Sequence, residues 1–187
     1  MSDRAAVTAW TIYETSVGYG VLAASGKGVV AHHLPYGTAS AGDALELAAT
    51  LYPQASGESA LTAQGAALLQ RYFAGERVVF DLPLDLDGCT PFQKEVYRVV
   101  ASIPYGSVFS YQEVADACGS PRGARAIGGA MARNLLPIII PCHRVVGASG
   151  VMTGFTAPGG TDSKRGLLLM EGVNFDAKGG VARAKIR

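Results

Sequence analysis

The residues of this chain best suited to chemistry lie side by side, Cys142 and His143, in the run Pro137 to Arg144, PIIIPCHR. A free thiol with a pKa of about 8.5 is mostly protonated at neutral pH, and attacks well only with a base or a positive environment beside it. An imidazole next in sequence can be that base. Neighbours on a strand point to opposite faces, which implies action through a water or a turn. A carboxylate is then needed to orient the imidazole and stabilise its charged form. Glu171, in the helix-like stretch Ser163 to Gly172 with Leu167, Leu168, Leu169 and Met170, is the nearest downstream acid set among apolar residues. The isoleucines between Pro137 and Pro141 read as a short, stiff, buried strand that delivers the thiol. On adjacency alone, a buried structural cysteine beside a satisfied histidine is the simpler account, and spacing does not decide between the two.

Upstream lie the elements that would position this segment. Thr90-Pro91-Phe92-Gln93 is a capping box with proline at the first helical position. Phe92, Val96, Val99, Val100 and Ile103 continue it as one apolar stripe, and Pro104-Tyr105-Gly106 ends the helix. Ser110-Tyr111-Gln112-Glu113 is a second capping box, opening a short helix through Ala117 with Gly119 at its C-terminal turn. Ser120-Pro121 reads as the start of the next helix. Two short helices joined by a glycine-containing turn are a helix-turn-helix signature. In the second helix Ala124, Ile127 and Met131 share one face, with Arg122, Arg125, Gly129, Ala132 and Arg133 on the other. Arginines among small residues suit close approach to DNA; they equally suit the solvated face of an ordinary core helix, and both readings stand at this point.

The first 83 residues read as a small α+β unit. Trp10 to Thr15, Gly18 to Ala24 and Gly28 to Leu34 look like strands, and Val78 to Leu82 like one more. Leu45, Ala48, Leu51 and Tyr52 have helical spacing; so have Leu61, Leu68, Leu69, Tyr72 and Phe73, behind a Ser59 N-cap. Residues 84–88 read as a linker, 89–173 as a helix-turn-helix domain with the reactive cysteine, and 174–187 as a basic flexible tail. Hydrophobic residues make up 49% of the 187 and charged residues 17%, which allows a real core and argues against disorder. The net charge of +1 requires any nucleic-acid surface to be local. Cys89, Cys118 and Cys142, far apart and odd in number, argue for a reducing compartment over a disulfide framework. The N-terminus lacks a secretory pattern and no apolar run is long enough to span a bilayer, so a cytoplasmic, nucleoid-associated protein with no membrane partner is expected.

The run Pro141 to Val146, PCHRVV, resembles the active-site signature of the O6-alkylguanine-DNA alkyltransferases. SYQEVA (Ser110 to Ala115), ARAIGGAMARN (Ala124 to Asn134), GF-x-x-PGG (Gly154 to Gly160) and K-x-x-LL-x-x-EG (Lys164 to Gly172) follow the family's order and spacing. The resemblance is strong from about residue 90 to residue 172 and general before that. It implies an α+β chain with a ribonuclease H-like N-terminal domain and a winged-helix-like DNA-binding domain. It also implies in-line, irreversible transfer of the alkyl group from O6-alkylguanine, and from O4-alkylthymine, to Cys142, once per molecule.

The resemblance assigns roles residue by residue. His143 takes the thiol proton through a water, Glu171 orients His143, and Asn134 links the helix-turn-helix to the active-site segment. Tyr111 donates toward the base and helps rotate the nucleotide outward. Arg125 fills the space the flipped base leaves, and Gln112, Arg122 and Ser120 complete the DNA surface, lying in the minor groove. Pro141, Val145, Phe155, Thr156 and Met131 form the substrate pocket. Phe155 stands where some members have tyrosine, and the loop Gly154 to Gly160 is longer than in some. Some members hold zinc with N-terminal Cys and His ligands. Here no cysteine precedes Cys89 and His32-His33 reads as a surface pair, so no metal and no cofactor are expected. The expected partner is duplex DNA bearing an alkylated guanine, bound by a monomer, with cooperative packing along DNA as the alternative. A recognition module without repair activity would lack Cys142. A cysteine hydrolase would need an oxyanion hole and has no use for the arginine-bearing helix, and a regulator leaves PCHRVV unexplained.

Overall fold

The computed structural model describes residues 6–55 and 57–182. The chain divides into two compact units, Met1–Gly88 and Cys89–Arg187. The first unit begins with an antiparallel sheet of β1 (Ala9–Thr15), β2 (Gly18–Ala24) and β3 (Val29–His33), in the order β1-β2-β3. Alternation along the strands divides it into two faces. Val21 packs with Trp10, Ile12 and Tyr19 against Ala44 and Ala48 of helix α1 (Ala41–Leu51). On the opposite face Thr11 donates to Thr62 of helix α2 (Ala60–Phe73) at 2.7 Å. Gly65 there leaves room for Leu22, whose Cδ2 would lie 2.3 Å from an added Cβ. Ser40 and Ser59 cap the two helices.

Several expectations for this unit are corrected. α1 buries Ala44 and Ala48, whereas Leu45 and Leu51 are exposed; the apolar spacing was right for a helix and wrong in phase. Val78 to Leu82 forms no strand, and Val79 is 83% exposed. Pairing comes just after it, where Pro83, lacking an N–H, still offers its carbonyl to Val29 N at 2.8 Å and Asp85 N donates to Val29 O at 2.9 Å. Ser25 Oγ also donates to Asp85 at 2.6 Å. Residues 84 and 85 of the expected linker are therefore tied to the sheet. His32 is buried, not superficial, and bonds to Tyr13 at 2.5 Å, while His33 bonds to Tyr52 at 2.6 Å. As neighbours on β3 the two histidines face opposite sides of the sheet and share no site.

The second unit opens with α3 (Pro91–Ala101), whose Thr90 cap and Val96, Val99 and Val100 stripe are as the sequence predicts; Phe92 stays 38% exposed. Ser110 caps α4 (Tyr111–Ala117), and Gly119 ends it at φ +66°. The next helix, α5 (Ala124–Ala132), starts three residues after Pro121 because Gly123 N closes a turn on Ser120 O at 2.7 Å. Ile127, Ala130 and Met131 point inward, with Arg122, Arg125 and Arg133 exposed.

The run Pro137 to Ile140 is buried but is a tight turn, not a strand. Ile138 sits at φ 72°, and Pro137 and Ile140 face each other as an isolated bridge. A 3₁₀ turn, Cys142–Arg144, follows and leads into β5 (Val145–Val146), paired in parallel with β4 (Phe109–Ser110). Helix α6 (Gly160–Met170) closes the unit over Val108, Val146 and Leu168. Residues 174–182 of the expected tail fold back on the unit: Phe175 bridges Val181, and Val181 is buried beside Val173. The rest of that expected tail lies outside the described residues. Among the described residues no helix is long and apolar enough to cross a membrane.

Candidate active site

Asn134, directly beyond α5, builds the turn that carries the thiol. Its Nδ2 donates to Ile140 O at 2.8 Å and its Oδ1 accepts from Leu136 N at 3.0 Å, so both ends of the Leu135 to Ile140 segment are gathered on one side chain. Cys142 N then donates to Ile140 O at 2.8 Å, and the 3₁₀ turn reverses direction through Arg144 N to Pro141 O at 2.9 Å. This turn lets consecutive residues serve one site, which a strand would forbid. Cys142 is buried, at 8% exposure. Burial pushes its thiol up, against the opposing pull of a hydrogen bond from Asn134, the Lys164 ammonium and the backbone amides of Cys142 and His143. The resting thiol is therefore protonated at neutral pH, and attack requires a base.

His143 is fully buried, its Nε2 2.9 Å from Glu171 Oε1. Burial lowers its pKa despite the neighbouring carboxylate, which favours the neutral imidazole. Burial would raise the Glu171 carboxyl, but hydrogen bonds and charge from His143 and Arg144 outweigh it and hold the acid well below the usual range. With Nε2–H donating to an ionised carboxylate, Nδ1 is the basic nitrogen of the ring.

Glu171 is held from three directions. Besides His143, it accepts from Arg144 Nε at 2.9 Å and Nη2 at 2.9 Å, and from Gly106 N at 3.0 Å. Gly106 is at φ 75°, and an added Cβ would lie 2.7 Å from Glu171 O, so the close approach of this loop depends on glycine. Arg144 also donates to Ile103 O at 2.7 Å. Lys164, fully buried on α6, donates from Nζ to Val145 O at 2.6 Å and to Thr153 O at 3.2 Å. Burial lowers its pKa to about 8, against the influence of Cys142.

The structure thus gathers Cys142, Asn134, His143 and Glu171 into one site, with Pro141 and Val145 flanking the thiol turn and Met131 on the inner face of α5. Tyr111 begins α4 half-buried, its ring near Gly128 of α5. Arg122 and Arg125 are exposed on the neighbouring surface. Gln112, also exposed, ties α4 to the following turn by donating to Asp116 at 2.8 Å and to Pro121 O at 2.6 Å. Ser120 N donates to Ala115 O at 2.9 Å. Phe155, half-buried, and Thr156, exposed, are on the loop after Thr153. Sequence reasoning missed Arg144 and Lys164 as members of the site. Lys164, Leu167 and Leu168 fall at i, i+3 and i+4, so helical periodicity already places the lysine on the buried face. Nothing local marks Arg144, whose partner lies 27 residues away.

Comparison with known proteins agrees with this geometry. Residues 91–173 match the 6-O-methylguanine DNA methyltransferase, DNA binding domain, and residues 8–86 the ribonuclease-like domain of the same family. The constitutive methylated-DNA–protein-cysteine methyltransferase of Bacillus subtilis is 48% identical over 110 residues, 59% of this chain and 66% of the relative. The Mycobacterium bovis methylated-DNA–protein-cysteine methyltransferase is 52% identical over 103 residues, 55% of this chain and 61% of the relative. These matches therefore span a little under two thirds of the relatives' length. Among solved structures, the Mycobacterium tuberculosis O6-methylguanine methyltransferase superposes with a TM-score of 0.71 at 36% identity, over 88% of this chain and 92% of that one. The Mycobacterium tuberculosis OGT protein in complex with DNA gives 0.71 at 35% identity, with the same coverage. With both of its units matched in order and a solved relative matched over most of its length, this chain belongs to the 6-O-methylguanine DNA methyltransferase family.

Proposed function

We propose that this protein repairs alkylated DNA by moving the alkyl group from guanine O6, and from thymine O4, onto its own Cys142. The observation that carries this reading is the buried thiol on the same short turn as the histidine that pairs with Glu171, in the unit where Arg125 of α5 and its neighbours Arg122 and Arg133 are exposed. The names of the relatives, which specify a cysteine as acceptor, support it.

The residues supply each step. The Cys142 proton passes through a water to Nδ1 of His143, whose positive charge Glu171 then stabilises through Nε2–H. The thiolate attacks the alkyl carbon in line with the departing base; the new C–S bond forms as the C–O bond breaks, and that electron pair goes to guanine O6. Tyr111 donates toward the base as its negative charge grows. The product is a thioether, with no acyl carbon for water to attack and no good leaving group, so each molecule acts once. The target atom lies inside the duplex and must be flipped out, at a cost of a few kcal/mol. Arg125, exposed on α5, would fill the gap, with Gln112, Arg122 and Ser120 completing the minor-groove surface. Pro141, Val145, Met131, Phe155 and Thr156 would enclose the base. The protein is read as a monomer acting on nucleoid DNA in the cytoplasm.

Mass spectrometry after incubation with a duplex carrying O6-methylguanine tests this directly. A methyl mapped to Cys142 and saturating at one per molecule is the expected result, with none on Cys142→Ala. Lesion binding without modification would reduce the protein to a recognition module.

A further inference from the structure

The DNA-binding domain match ends at residue 173, yet the chain continues as a packed hairpin. Phe175 faces Val181, Ala182 N donates to Asn174 O at 3.0 Å, and Asp176 N donates to Gly180 O at 2.8 Å. Asp176 Oδ1 sets the turn by accepting from Lys178 N at 2.8 Å and Gly180 N at 3.0 Å. Such a tight turn closes the hairpin with few residues.

This hairpin is held on two sides. Arg165 of α6 stacks its guanidinium 4.1 Å from the Phe175 ring centre and donates to Gly179 O at 3.3 Å. On the other side Val181 N donates to Gly150 O at 2.9 Å. Gly150, at φ 76°, lies so close that an added Cβ would be 2.5 Å from Val181 O. Val181 itself is buried with Val108, Val146 and Leu168, and Phe175 packs with Met152 on the same cluster.

What the hairpin grips is the turn just upstream of the loop bearing Phe155 and Thr156. That turn closes through Gly150 N to Gly147 O and Gly147 N to Val151 O, both at 2.9 Å. Thr153 follows, its carbonyl tied to Lys164 at 3.2 Å, and the far end of the loop is fixed by Ser163 Oγ donating to Pro158 O at 2.7 Å. With both ends fixed, the segment between Thr153 and Pro158 has little reach. Releasing the turn at Gly150 would leave the upstream end held by the single Lys164–Thr153 hydrogen bond, and so loosen the loop.

We propose that the hairpin Asn174 to Ala182 is a specificity brace: by gripping Gly150 it fixes the root of the Phe155–Thr156 loop and restricts the pocket to small alkyl groups. This rests on the reading above that the loop walls the alkyl pocket. The class it discriminates against is the bulky aralkyl adduct, such as benzyl.

The test compares transfer rates from O6-methylguanine and O6-benzylguanine in the same duplex. The proteins are the wild type, a chain ending at Val173, and Arg165→Met, which keeps the apolar stem and removes the two Arg165 contacts with the hairpin while leaving the Val181–Gly150 bond. The expected result is a rise in the benzyl-to-methyl rate ratio of about tenfold on truncation, within the range that pocket contacts discriminate, and a smaller rise in Arg165→Met. Amide hydrogen exchange should quicken at Gly147 and Gly150 in both. Phe175→Tyr, which keeps a ring under Arg165, should retain the wild-type ratio. Both rates falling in proportion would mean that the hairpin merely stabilises the unit, and would overturn the proposal. If the truncated chain does not fold, Arg165→Met decides on the same ratio. A wild type that transfers methyl with the ratio unmoved in the variants refutes the brace alone; a wild type that transfers nothing refutes the proposed function as well.

Discussion

Glu171 binds the imidazole of His143, the guanidinium of Arg144 and the amide of Gly106, and each of these depends on its charge. Glu171→Gln preserves the shape and removes the charge, leaving Arg144 buried without its counter-ion. A loss of about 3–5 kcal/mol in urea unfolding is expected, largely recovered in Glu171→Gln with Arg144→Met. If the single change costs nothing, the buried network is not what holds this turn. Lys164 acts on the thiol from the other side, and its charge opposes the upward push of burial on Cys142. Lys164→Met is expected to move the pH midpoint of Cys142 alkylation by iodoacetamide upward, because it removes the charge that opposes burial. An unmoved midpoint would leave Lys164 the role of a tie between Val145 and Thr153 alone.

At the scale of elements, α4 and α5 form a surface, and the turn after α5 carries the thiol. Ser110 caps α4 by accepting from Glu113 N at 3.1 Å, and its replacement by alanine should cost about 1 kcal/mol of stability. Arg125 is exposed and outside the buried network, so Arg125→Ala should leave stability and transfer from free O6-benzylguanine unchanged. Transfer from duplex DNA should fall by roughly tenfold or more, because flipping a base costs a few kcal/mol. Equal losses on duplex and free base would remove Arg125 from the flipping step.

In both units of the molecule, groups with depressed pKa values make stability fall toward acid pH. His33 in the first unit and His143 in the second have pKa values lowered from 6.5 by burial. Below that pH the unfolded chain takes up protons that the folded chain refuses, so stability falls as the solution is acidified. Glu171, lowered from 4.5, adds a second loss: its contribution is complete above the unfolded value and fades as pH drops below it. Thermal unfolding between pH 8 and 4 should therefore show a midpoint that declines from about pH 6.5 downward, more steeply below 4.5. His143→Gln should flatten the upper part of that decline in the second unit. A midpoint rising toward acid pH would contradict the neutral state assigned to both histidines.

Much of this molecule follows from local sequence, for local reasons. Ser59, Thr90 and Ser110 mark helix starts because a side-chain oxygen must satisfy orphan backbone N–H groups within a turn. The strands in residues 9–33 are legible from β-rich runs broken by glycine. Cys142, His143 and Glu171 are legible as a set through the order and spacing of the family's motifs. Tertiary structure decided what depends on distant partners. Apolar Pro137 to Ile140 reads as a strand, but Asn134 bonds to Leu136 just before it and to Ile140 at its end, and folds it into a turn that brings Cys142 and His143 to one site. The phase of α1 was set by the sheet face that received Ala44, Ala48 and Leu47, which leaves Leu45 and Leu51 exposed. The hairpin after Val173 looks like a polar tail because its glycines and charges are in view, while Val181 and Phe175 gain burial only against Val108, Val146 and Met152. Arg144 joins the site through a carboxylate 27 residues away, a pairing that no local pattern encodes.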